Sequence, residues 1–178
     1  MARFTFIALA ISAFAAAVSG APIPDSKAIV ARQVKFQEKA YANFQISDGV
    51  GGNAEAEANA VFVDPFQGVD LATVDDATLT ALKNMRSAAE DAETELFNPA
   101  IDAASGAEAD ALQVGKIKNK VLKLTGLSQV LKIQIAQADA AGDDTADLEE
   151  KLAEEQGKLT KNIATDEGNA GATSQSVA

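Results

Sequence analysis

The sequence predicts an all-α fold: a single cysteine-free helical bundle of four main helices plus one or two short helices. Three observations predict it. Apolar residues recur at spacings of three and four in successive segments, the period of helices that bury one face. The breaks between segments hold residues that stop and start helices, as at Ser47-Asp48-Gly49-Val50-Gly51-Gly52-Asn53, Asp64-Pro65 and Gly142-Asp143-Asp144-Thr145. The 178 residues include no cysteine, so helix packing has to stabilise the fold without disulfides.

Residues 1–20 read as a secretory signal peptide. Arg3 supplies the positive start, 4–18 is an apolar run, and Val18-Ser19-Gly20 offers small residues for cleavage. Cleavage after Gly20 keeps Pro22 out of the first position of the mature chain. Residues 21–164 then form the helical domain, long enough for one core. Residues 165–178 are small and polar and read as a disordered C-terminal tail, whose threonine and serines suit O-linked sugars. No transmembrane segment follows the leader, because the lysines of 116–132 interrupt the only long apolar candidate.

A first helix is expected from a cap at Asp25 or Ser26 to about Phe44, burying Ile29, Phe36, Ala40 and Phe44. The glycine-rich loop of 47–53 is expected to be mobile. Asn53 caps a second helix over 54–63, which stops before Asp64-Pro65. Asp75 and Asp76 open a third, with Leu82, Met85, Ala89, Ala92 and Leu96 as its core stripe. Asn98-Pro99 is expected to break it and to start a short helix to about Ser105. Ser105 and Glu108 have the spacing of a capping box for the next helix, which ends near Gly142. Asp143, Asp144 and Thr145 cap a final helix to about Ile163, lined by Leu148, Leu152, Leu159 and Ile163. The short turn makes these last two helices antiparallel neighbours.

Residues 112–138 are the centre of this arrangement. They carry five lysines and no acidic residue in a chain of net charge -11. Ile117, Val121, Leu124, Ser128, Leu131, Ile135 and Ala138 share one face. At about 100° per residue, Leu112, Leu122, Val130 and Ile133 fall opposite, together with Gly115 and Gly126. A helix apolar on two sides suits a central place, with its lysines on the flanks between acidic neighbours. Each glycine costs about 1 kcal/mol in helix propensity relative to alanine. Two readings stay open: close approach of a neighbour to the rear face, or a kink or helix end.

Composition excludes much chemistry. Without cysteine or histidine, the common nucleophile triads, the usual zinc sites and His- or Cys-ligated haem are closed. No catalytic residue, cofactor site or metal site is assigned, and the chain is read as not an enzyme. Gly49, Gly51 and Ala54 formally match a dinucleotide fingerprint, but the helical surroundings lack the βαβ unit it requires. The acidic run of 139–147 lacks the ligand spacing of a calcium loop and is read as helix caps. Strong acidity argues against nucleic acid as a partner. Lys116, Lys120 and Lys123 share one flank and form the one partner-binding strip the sequence offers. The competing reading is that they choose acidic neighbours within the bundle.

Tyr41-Ala42-Asn43-Phe44-Gln45-Ile46-Ser47-Asp48-Gly49, the run from Asn53-Ala54-Glu55-Ala56-Glu57-Ala58 to Val61-Phe62-Val63-Asp64-Pro65-Phe66, and Gly68-Val69-Asp70-Leu71 resemble small secreted proteins of filamentous ascomycete fungi. Ala88-Ala89-Glu90-Asp91-Ala92-Glu93 and Phe97-Asn98-Pro99-Ala100 extend the likeness. The resemblance implies a secreted protein, extracellular or in the cell wall, of the conidial-surface or candidate-effector type. It brings no catalytic residues. The expected function is a non-enzymatic surface component that masks the wall or mediates host interaction, with a cell-wall polymer or a host protein as partner. The alternatives are a soluble effector that binds a host protein and a small carrier of apolar ligands.

Overall fold

The computed structural model describes Val34 and residues 36–178. The expected signal peptide and the start of the expected first helix lie outside the described residues. Within them the fold is an all-α bundle. Its helices are α1 (Ala54–Phe62), α2 (Asp76–Asp91), α3 (Asn98–Ala103), α4 (Ala107–Ala141) and α5 (Ala146–Gly168). A π-helical stretch, Ala92–Phe97, joins α2 to α3. Three 3-10 turns, Tyr41–Asn43, Asp64–Phe66 and Leu71–Thr73, bridge the loops.

α4 is the axis. Both of its apolar faces are covered: Val121, Leu124 and Leu131 are buried on one side and Leu112, Leu122, Val130 and Ile133 on the other. α1, α2 and α5 all pack on it. Neither glycine interrupts it. At Gly126 a Cβ would stand 3.1 Å from the Phe62 ring of α1. At Gly115 it would stand 2.0 Å from the Gln175 carbonyl oxygen. Close approach is therefore the correct reading for both, and at Gly115 the neighbour is an extended strand instead of a helix.

That strand overturns two expectations. Residues 165–178 are not a disordered tail. α5 runs on to Gly168, and β2 (Thr173–Ser174) pairs antiparallel with β1 (Gly49–Val50). A bridge between Gly51 and Ala170 extends the contact, and Gln175 N–H donates to the Ala111 carbonyl at 3.0 Å. The glycine-rich loop is accordingly fastened, not mobile. The same small residues that suggest disorder let the two backbones meet: a Cβ on Gly51 would lie 2.6 Å from the Asn169 carbonyl oxygen.

Residues 36–44 also depart from the expected first helix. They are irregular apart from the Tyr41–Asn43 turn, and Ala40 is extended. Along this path Phe36 and Phe44 both still reach the Phe62 ring of α1. Phe36 meets Phe62 and Phe66 at centroid distances of 6.4 and 5.5 Å, and Phe44 meets Phe62 at 6.0 Å. Such contacts fall in the range favoured for aromatic pairs.

Asn98-Pro99 does not break the chain's helical path. Proline in a regular helix lacks a donor and collides with the carbonyl four residues back. The wider π turns just ahead of Pro99 relieve both demands. They also shift the register: Leu82, Met85, Ala89 and Ala92 are buried as expected, but Leu96 is 44 % exposed and Phe97 is buried in its stead. Caps differ in detail. Asp75 accepts from Thr78 N–H at 2.7 Å, and Asp144 from Ala146 N–H at 3.0 Å. Ser105 does not cap α4, because the helix begins one residue later, with Gly106 at the cap position. That shift moves Glu108 out of capping-box register.

Candidate functional site

The densest polar arrangement lies where α4 meets the 47–53 loop and the C-terminal strand. Lys118 sits on α4 between Val121 and Leu122 in angle, so packing of both apolar faces takes it out of water. Its side chain is 0 % exposed. Its ammonium donates to the carbonyls of Asp48 and Val50, each at 3.1 Å, and lies 2.8 Å from Glu57 Oε2. An ammonium has three protons to donate, and here each has an oxygen. The partners belong to the loop and to the start of α1, so one side chain ties three segments.

Neighbouring groups repeat the pattern. Asn53 stands at the cap position of α1 but makes no capping bond. The Ala54 N–H instead donates to Asp166 Oδ2 at 2.8 Å, from the end of α5. A carboxylate there meets the positive end of α1. Ser174 Oγ donates to the Ser47 carbonyl, and Ser176 N–H to Asp48 Oδ1 at 3.0 Å. On the α2 side, Asn119 donates to the Ala89 carbonyl at 2.7 Å and accepts from Tyr41 Oη at 2.9 Å. Burial, reinforced by the Asp48 charge, pushes the Tyr41 phenol up to about 12. These bonds join distant segments directly.

The expected strip lies on the other flank. Lys120 and Lys123 both reach Glu93, at 3.4 and 2.6 Å, and Lys116 donates to Asn98 Oδ1. Burial opposes the charge on Glu93, but Lys123 and Lys120 outweigh it and hold this carboxyl below its ordinary range. The strip thus comes together as a unit, and its charge is spent on the π segment and the start of α3. Sequence reasoning missed Lys118, Asp166 and Ser174. The angular position of Lys118 between two buried rows was the available signal; for Asp166 and Ser174 there was none, because their partners lie more than a hundred residues away.

No group of three or more acidic side chains that could hold a metal ion occurs among the described residues. No helix among the described residues is long and apolar enough to cross a membrane. Neither a curated protein nor a solved structure shows significant similarity to the chain. The chain belongs to the family described as Domain of unknown function (DUF8454), which it matches over residues 36–178.

Proposed function

We propose that this protein is an exported, non-enzymatic surface protein of a fungus, held non-covalently at the cell wall, where it masks the underlying polymer. The observation that carries the reading is the seam between the 47–53 loop and the strand Thr173–Ser174. Ser174 fastens the strand to the 47–53 loop, Lys118 fastens that loop to α4, and Asp166 ties the end of α5 to the start of α1. Chain ends and glycine-rich loops are the usual sites of proteolytic nicking. Tying the loop down serves an extracellular protein whose sequence holds no cysteine for a disulfide. The leader pattern of residues 1–20 and the resemblance of residues 41–100 to small secreted fungal proteins support the compartment.

Fractionation of intact cells tests this. The expected result is protein in washed walls, released by salt or detergent without cleavage of a covalent bond. Recovery solely from the culture medium would overturn wall association, and recovery inside the cell would overturn export.

A further inference from the structure

A shallow groove of about 300 Å³ runs between α2, α4 and α5, away from the C-terminal knot. Its floor is apolar: Val130 and Leu131, both nearly buried, with half-buried Leu127 beside them. Its rim is basic, with Lys83 and Arg86 from α2 and Lys151 from α5. No carboxylate lines it. In a chain of net charge -11, three cations around one apolar floor are a local reversal of sign.

Three acids close to this face are paired with cations. Glu90 pairs with Arg86 Nη1 at 2.6 Å, and Lys158 holds both Glu154 and Glu155, at 2.8 and 3.0 Å. Lys83 and Lys151 make no ion pair among the described residues. Arg86 Nε is buried and has no hydrogen-bond partner among them. A buried donor without an acceptor is unfavourable, and the two unpaired ammonium groups of Lys83 and Lys151 stand on the same rim. An anionic head group would offset both, and the floor would take an attached apolar chain.

We infer that this groove binds an anionic amphiphile, a single-chain carboxylate with its head between Lys83, Arg86 and Lys151 and its chain on Leu127, Val130 and Leu131. The inference does not depend on where the protein resides. It goes beyond a general affinity for apolar ligands, because it assigns the head group and the side chains that read it.

Calorimetric titration of the full-length mature chain tests it, with dodecanoate below its micellar concentration, dodecanol and acetate as probes. Dodecanoate is expected to bind one-to-one and at least about tenfold more tightly than either other probe, a difference of about 1.4 kcal/mol. Lys83→Glu with Lys151→Glu is expected to weaken dodecanoate about tenfold or more. The exposed pair Lys132→Glu with Lys161→Glu, which changes net charge equally outside the groove, should leave it within about twofold. Both pairs are exposed, and circular dichroism confirms that each variant keeps its helix content. Equal binding of dodecanol would overturn the head-group assignment, and equal binding of acetate would overturn the role of the floor. No saturable binding, or equal loss in the two double variants, would overturn the site.

Discussion

Lys118 and Lys120 stand two positions apart on α4 and point about 160° away from each other. Both hold a segment that is not regular α-helix. Lys118 grips the loop before α1 and is wholly buried, while Lys120, with Lys123, grips the π segment through Glu93 and stays 34 % exposed. Their partners differ more than their exposure. Lys118 donates to two backbone carbonyls as well as to Glu57, whereas Lys120 shares one carboxylate with a neighbour. A wholly buried lysine whose three protons all have acceptors is hard to replace. One that supplements a surface ion pair is not.

Removing Lys118 is the strongest way to break this contrast. Lys118→Met keeps the volume but strands the Asp48 and Val50 carbonyls, and is expected to cost about 2–4 kcal/mol in a urea denaturation series. A loss no larger than that of Lys120→Met would erase the distinction between the flanks. Gly115→Ala should rank next. Its Cβ would overlap the Gln175 carbonyl, so the strand has to move, at about 1–3 kcal/mol. Hydrogen exchange should show the amides of 49–51 and 172–175 losing protection together. Gly126→Ala is the control, since its Cβ would only press on the Phe62 ring, and about 1 kcal/mol of helix propensity is recovered.

Glu93→Gln should have the smallest effect, within about 1 kcal/mol, because the pair is partly exposed. Its pH dependence sharpens the comparison. The folded-state carboxyl lies below its ordinary value of 4.5, so its contribution is complete above that value and is lost as pH falls below it. Wild type and Glu93→Gln should therefore converge in stability on acidification. Parallel curves through that range would show that the lysines do not hold the charge.

The bundle itself was legible because helical periods and caps are local signals. The two apolar faces of residues 112–138 predicted a central helix, and the structure puts that segment there with three helices around it. What was not legible depends on partners far along the chain. Residues 165–178 contain nothing that demands order by themselves; they become ordered because Gly51 and Gly115 leave room for their backbone. Phe97 replaces Leu96 in the core because a π turn inserts a phase shift that a fixed 100° step does not contain. The lysine strip was found by its spacing, but its engagement with Glu93 needed the packing of two helices to be known.

The bond from Ser174 to Ser47 spans 127 positions of the sequence. Contacts this distant require the loop between them to be closed first, which slows their formation. They also set an order of events during synthesis. Protein chains emerge amino end first, so the 47–53 loop and Lys118 are made before Ser174. The carbonyls of Asp48 and Val50 can be gripped at that stage, and the strand that pairs with this loop joins later. Lys118 can thus hold the loop before its strand partner exists, and the seam between them is the last part of the fold to close.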